Sequence, residues 1–205
     1  MTMPSHRLDH LVVAADTLEQ GVAWCEATLG VRPSAGGQHV FMGTHNRVFG
    51  ISTARYPRAY LEIIAIDPSL PAPDRVRWFD LDDAAMQRRL AAAPQLVHWV
   101  ARVDDIAAAH AAMLADGFDC GRIIDAERGA LRWRITVRDD GRRPQDGVAP
   151  ALIQWLGPHP TDALPASDVR LTSMSAAPDR VRVELESPRG RVALMIDAAV
   201  PSMSS

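Results

Sequence analysis

The sequence predicts an α+β fold: two tandem βαβββ units in one chain, followed by a C-terminal β extension. Three observations predict it. The chain repeats itself at a constant offset of 88, so that Leu8, His10, Val12 and Asp16 meet Leu96, His98, Val100 and Asp104. Leu18, Ala23 and Ala27 meet Ile106, Ala111 and Ala115 at the same offset. With seven histidines in 205 residues, a His–His match carries weight. Each copy also opens with a β-rich run, then an aspartate, then a helical pattern. The closing strands correspond as well, Leu61-Glu62-Ile63 with Ile153-Gln154-Trp155 and Pro68 with Pro160, at an offset of 92.

Element by element, the first strand of each copy carries His10 or His98. Asp16 and Asp104 follow as expected N-caps, whose carboxylates would accept from the free N–H groups of the first helical turn. Leu18, Val22, Cys25 and Leu29 form one apolar stripe on the first helix. Gly30 and Gly117 supply the positive φ that ends each helix. Strands are then expected at 38–41, 47–52 and 59–66 in the first unit, and at 119–125, 131–138 and 151–156 in the second. Pro68, Pro71 and Pro73 break the chain between the units, and 82–93 reads as a connecting helix. A long loop at 139–150 precedes the last strand of the second unit. Beyond Pro160, alternating runs at 169–175, 181–186 and 191–196 match neither copy, and Pro188-Arg189-Gly190 turns the chain between the last two. The expected organisation is therefore 6–68 for the first unit, 69–95 for the linker, 96–160 for the second unit and 161–205 for an extension packed on the same domain.

Composition narrows the chemistry. A net charge of −3 and a pI near 6.1 give no electrostatic case for nucleic acid or an anionic membrane. All 22 basic residues are arginine, which excludes lysine Schiff-base and P-loop lysine chemistry. Two cysteines, Cys25 and Cys120, exclude a disulfide framework or a cysteine-rich zinc site, and both read as packing residues. No apolar run is long enough to span a bilayer. Asp9 interrupts the N-terminus before an apolar run builds, so no signal peptide is expected and the chain reads as soluble and cytoplasmic.

Strand alternation places His10 and His98 among apolar neighbours, Glu62 with Tyr60 and Ile64, and Gln154 with Leu152 and Leu156. Polar groups on apolar faces need partners, because leaving them unpaired costs several kcal/mol. Two histidines and a carboxylate suit a divalent first-row metal, with Gln154 as a neutral oxygen donor. The alternative is that these groups hydrogen-bond one another or the backbone. His45 and Asn46 follow Gly43-Thr44, and the offset of 88 sets His45 opposite Trp133. They would contact a substrate on which Trp133 stacks; alternatively, Asn46 makes a turn, His45 is half-exposed and Trp133 is core. Arg132 and Arg134 share a strand face and could clamp a carboxylate or phosphate, or else form a solvated face. His6, His39 and His159 are expected to be exposed, and His110 to face solvent or an edge.

The paired units, with Leu8-Asp9-His10-Leu11-Val12-Val13, Tyr60-Leu61-Glu62-Ile63-Ile64 and Val97-His98-Trp99-Val100, resemble the vicinal oxygen chelate superfamily. Gly43-Thr44-His45-Asn46-Arg47, Leu131-Arg132-Trp133-Arg134, Leu152-Ile153-Gln154-Trp155 and Ser187-Pro188-Arg189-Gly190 are similar to its glyoxalase-like domain proteins. The resemblance covers roughly residues 8 to 195. It implies a U-shaped mixed sheet around a cleft and a metal held by His10, Glu62, His98 and Gln154. Zinc, nickel, manganese or iron would suit that set. It implies a metal-dependent lyase, isomerase or related enzyme acting on a small vicinally oxygenated metabolite, with Glu62, His45 or a metal-bound hydroxide as the candidate base. Gln154 stands where glyoxalase I enzymes carry a glutamate, and an amide cannot serve as a general base, which argues against a true glyoxalase I. A non-catalytic binding or sequestration protein using the same cleft is the alternative. An iron dioxygen chemistry is a third reading with less support, because the carboxylate lies in the other half from the usual pattern. The partners expected are a small-molecule substrate or ligand, with a homodimer as an option, and neither nucleic acid nor membrane.

Overall fold

A computed structural model describes residues 7–198. The first half runs β1 (Arg7–Ala14), α1 (Leu18–Thr28), β2 (Ser34–His39), β3 (Thr44–Gly50) and β4 (Tyr60–Ile66). The second runs β5 (Gln95–Arg102), α3 (Ile106–Ala115), β6 (Arg122–Arg128), β7 (Leu131–Val137) and β8 (Ala151–Trp155), after α2 (Ala84–Ala92) in the linker. All eight strands form one curled mixed sheet in the order β2-β3-β4-β1-β5-β8-β7-β6. Each half pairs its first strand in parallel with its last, and the halves join by antiparallel β1 and β5. The strands β9 (Arg170–Ala177), β10 (Arg180–Ser187) and β11 (Gly190–Asp197) make a separate antiparallel sheet.

Two apolar clusters lie on opposite faces of the curled sheet. On the convex face Leu11, Val13, Leu61 and Ile63 pack with Cys25 and Leu29 around α1, Ile106 and Met113 of α3, and Leu171, Val183 and Leu185 of the C-terminal sheet. On the concave face Val12, Ala14, Ile64, Val100 and Ile153 meet Trp78, Phe79, Leu81, Met86 and Leu90. The linker and α2 therefore fill much of the hollow of the U. Asp83 caps α2, accepting from the Met86 N–H at 2.8 Å. Phe79 and Asp80 both have positive φ, 61° and 58°, a conformation strained for residues with a Cβ. Stacking of Phe79 on Trp78 and the 2.6 Å bond from Arg143 Nε to Asp80 hold the bend.

Gly30 and Gly117 end α1 and α3 with positive φ of 73° and 83°. The caps fall one residue later than expected. Thr17 accepts from the Gln20 N–H, and Asp105 accepts from the Ala107 and Ala108 N–H groups. Asp16 and Asp104 are not caps; Asp104 instead pairs with Arg7 at 2.6 Å. No helix among the described residues is long and apolar enough to cross a membrane.

Candidate functional site

The polar residues of the concave face gather over the first half. They line a cavity of about 30 Å³, room for one or two waters, formed by His10, His39, Asn46, Tyr60, Glu62 and Arg128 with walls of Trp78, Phe79, Trp133 and Trp155. Glu62 is 6% exposed. Asn46 Nδ2 donates to its Oε1 at 2.5 Å, and His10 Nε2 lies 3.7 Å from its Oε2. The ring of His10 stacks on Tyr60, with centroids 4.6 Å apart.

Behind His10 lies a buried hub. Asp9, with no exposed surface, accepts from His10 Nδ1 at 2.8 Å, His159 Nε2 at 3.0 Å and Trp155 Nε1 at 3.0 Å, with Arg102 Nη1 at 3.6 Å. Burial alone would push the Asp9 carboxyl up, but the bonds from His10 and His159 outweigh it and hold it well below the usual carboxylate range. An ionised carboxylate only accepts, so the His10 Nδ1 position carries a proton and Nε2 faces Glu62. A register shift in β1 between Leu8 and His10 makes the contact: His10 pairs with Val100 and Leu8 with Ala101, leaving Asp9 in a bulge.

The strand register separates the proposed metal donors. Val12 pairs with Glu62 in the first half and Val100 with Ala151 in the second, so Ala151 is the counterpart of Glu62 and the second half has no carboxylate there. Gln154 lies three residues further on, an odd step, and so occupies the opposite face. Its Nε2 donates to the Asp104 carbonyl at 2.7 Å, and its Oε1 accepts from the Ile106 N–H at 3.3 Å at the start of α3. His98 does face the hollow, but it is fully buried under Phe79, with ring centroids 5.3 Å apart. Its Nε2 accepts from the Ala151 N–H at 3.1 Å, and burial pushes its pKa down to about 3. His10, Glu62, His98 and Gln154 thus do not meet around one point. Among the described residues no group of three or more His, Cys, Asp or Glu is placed to hold a metal ion. The donor set does not fit the metal that the resemblance implies.

Other expected site residues also change place. His45 points to the convex side, where its Nδ1 lies 3.4 Å from Asp67 Oδ2, away from Glu62. Register equates it with Arg134 rather than Trp133: Asn46 pairs with Ile64, and Ile135 with Ile153. Arg132 and Arg134 project outward and pair with Glu127 and Asp125 at 3.8 and 2.9 Å. Trp133 does line the cavity, against Trp155 at 5.5 Å. His39 and His159 are buried rather than exposed, at 6% and 3%. His110 Nε2 meets the Gly121 carbonyl at 2.6 Å, and His6 lies outside the described residues. Cys25 and Cys120 are buried free thiols.

The residues that sequence reasoning missed are Arg128, His39, Asp9, His159 and Trp155. For Arg128 a signal existed, because it continues the Ile124–Ala126 face of β6 that packs on the concave cluster. Its Nη1 crosses the cleft to donate to Asn46 Oδ1 at 3.1 Å.

A half-barrel of paired βαβββ halves, with a polar cavity on its concave side, defines the class: this is the vicinal oxygen chelate fold. The chain belongs to the glyoxalase-like domain family, whose sequence profile matches residues 8–186. No curated protein sequence matches it significantly. Among solved structures, a hypothetical protein from Staphylococcus aureus superposes with a TM-score of 0.50 at 11% identity, over 93% of this chain and 85% of that one. Methylmalonyl-CoA epimerase from Mycobacterium tuberculosis gives 0.45 at 17% identity, over 80% and 97%. The Streptomyces coelicolor epimerase in complex with 2-nitronate-propionyl-CoA gives 0.46 at 19% identity, over 74% and 99%.

Proposed function

We propose that this chain is a glyoxalase-like enzyme of the proton-transfer kind, an isomerase or lyase, acting on a small oxygenated metabolite with Glu62 as the base. The observation that carries the reading is the Glu62 carboxylate, 6% exposed and turned into a cavity. Its sole ion-pair partner among the described residues is His10, at 3.7 Å. One oxygen of this buried carboxylate is held by Asn46 and the other is left open to the cavity, an arrangement that suits a general base. Glu62 would take a proton from the carbon beside a substrate carbonyl and return it to that carbon or its neighbour. Asn46 fixes the carboxylate through its Oε1, leaving Oε2 for the proton. His10 Nε2, oriented by Asp9, would hold or exchange that proton on the other side. His98 and Gln154 lie outside the cavity, so neither has a role in this reading.

Hydrogen–deuterium exchange into a panel of 2-hydroxy and 2-oxo acids and their esters, followed by proton NMR in D2O, tests this reading. The wild type should exchange a carbon-bound proton in at least one compound. Glu62→Gln should lower the rate by roughly 100-fold or more, the range of general-base catalysis, at an unchanged unfolding midpoint. Treatment with EDTA should leave the exchange intact. Loss on chelation, with recovery on adding zinc, nickel, manganese or iron, would restore a metal centre with His10 and Glu62 among its ligands. The aromatic walls of Trp78, Trp133 and Trp155 favour a second reading, a binding protein. Tight ligand retention without exchange would establish it.

A further inference from the structure

The proposed base looks across the cavity at a cation that no acidic side chain among the described residues pairs with. Arg128, half-buried at the end of β6, lies 3.1 Å from Asn46 Oδ1 and 3.4 Å from His39 Nε2 through its Nη1. Both partners are neutral near pH 7, since burial pushes the His39 pKa down to about 4. Among the described residues no carboxylate lies within ion-pair distance of Arg128. By contrast Arg143, half-buried beneath the second half, is paired with Asp80 at 2.6 Å. Nor do Arg128 Nε and Nη2 have a protein hydrogen-bond partner among the described residues. That Nε/Nη2 edge is the one that meets a carboxylate side-on with two parallel hydrogen bonds.

Its pose is built by the fold. A Cβ at Gly37 would stand 2.7 Å from Arg128 Cδ and 3.1 Å from its Nε, so the arginine lies flat across Gly37 and a side chain there would displace it. The neighbouring Asn46 is held in turn by the Gly37 N–H, which donates to its Oδ1 at 2.9 Å. One oxygen of Asn46 thus ties the cation to β2, and its amide nitrogen ties down the base.

We infer that Arg128 selects a substrate bearing a carboxylate, a short 2-hydroxy or 2-oxo acid whose carboxylate sits on the Nε/Nη2 edge while its reacting carbon faces Glu62. This deepens the proton-transfer reading of the same site and rests on it. A monocarboxylate balances the single arginine. A phosphate dianion would place surplus negative charge beside Glu62. The cavity of about 30 Å³, room for one or two waters as it stands, argues against any long chain beyond the arginine.

The test is binding, kept separate from turnover. Isothermal titration of the full chain with 2-hydroxybutyrate, 2-oxobutyrate, the methyl ester of 2-hydroxybutyrate and methylphosphonate gives the preference directly. At least one of the two acids should bind, and bind more tightly than the ester and the phosphonate. Arg128→Met should weaken that acid by about 10- to 100-fold, the worth of a charge-assisted bidentate contact, and leave the ester unchanged. Gly37→Ala, which keeps the charge but displaces it, should weaken the acid in the same direction. Glu62→Gln should retain acid binding. Acid binding without proton exchange would overturn the catalytic reading and leave the carboxylate site standing. Equal binding of acid and ester, tighter binding of the phosphonate, an acid affinity unaltered in Arg128→Met, or no binding of either acid at millimolar concentration would overturn this inference.

Discussion

At the scale of single residues, Asp9 holds more of this molecule together than its size suggests. Its two oxygens accept from His10, His159 and Trp155, and Arg102 stands 3.6 Å away, all beneath the cavity. Asparagine would fill the same space but replace one acceptor oxygen with a donor nitrogen. The amide nitrogen would then either face an N–H donor or force His10 onto its other tautomer, and Arg102 would lose its counter-charge. The expected cost is about 3 kcal/mol, the lower range for breaking a buried ion pair, or a fall of roughly 6–12 °C in the unfolding midpoint for a chain of this size. Calorimetry on Asp9→Asn would read it, with Asp104→Asn as a control. The Asp104 side chain is 83% exposed in its pair with Arg7, so its loss should leave the midpoint unmoved. None of this was legible beforehand. Strict alternation sets Asp9 and His10 on opposite faces, and only the bulge against β5, a property of the partner strand, lets adjacent side chains meet.

At the scale of elements, strong periodicity was readable and weak periodicity was not. The helices α1 and α3, the strands β1, β4 and β8, and the C-terminal hairpin lie within two or three residues of where their patterns place them. β2 does not: Ser-Ala-Gly-Gly-Gln-His carries no apolar alternation, and it runs at Ser34–His39 rather than 38–41. β3 begins three residues earlier than its apolar run suggests, and its alternation sends Asn46 inward and His45 outward. For β8 the position was right but the offset was wrong. Equating Gln154 with Glu62 uses 92 where the register gives 89, and an odd error exchanges the faces. β2 exists in its bulged form for a steric reason that a single change would expose. A Cβ at Gly36 would stand 2.1 Å from Asn46 Oδ1 and 2.3 Å from its backbone oxygen. Gly36→Ala should therefore push β2 away from β3, cost roughly 1–3 kcal/mol as overpacking does, and release Asn46 from Glu62. Gly50→Ala in the neighbouring strand meets nothing within 4 Å and has an ordinary φ, so it should be neutral or slightly stabilising. Urea unfolding of the two variants separates strand-specific crowding from a general intolerance of side chains in this sheet.

At the scale of the whole molecule, the repeat announced two halves but not what lies in the hollow between them. The linker and α2 return over the concave face, and their burial of His98 beneath Phe79, with that of His39 in the cavity, gives the fold a marked acid sensitivity. Burial pushes the His39 pKa down to about 4 and that of His98 to about 3. In the unfolded chain both return to about 6.5. Above that pH both states are neutral at these positions and the two histidines cost nothing. As the pH falls below about 6.5, the unfolded chain takes up protons that the folded chain refuses, so stability falls with pH. The slope reaches up to about 1.4 kcal/mol per unit for each histidine. Between pH 7 and 5 the pair should remove roughly 3–4 kcal/mol. Asp9 adds to the loss only below about pH 4, where its unfolded counterpart protonates while the folded carboxylate, held by His10 and His159, does not. Guanidinium unfolding at pH 7, 6, 5 and 4 should therefore give a decline that begins near pH 6.5, well above the carboxylate range. His98→Asn should roughly halve the slope between pH 6 and 5, whatever it does to absolute stability, because one of the two proton sinks has gone. A stability flat down to pH 5 in the wild type would mean that both imidazoles accept protons in place. The packing of the linker against the concave face would then be looser than the buried Trp78–Phe79 stack requires.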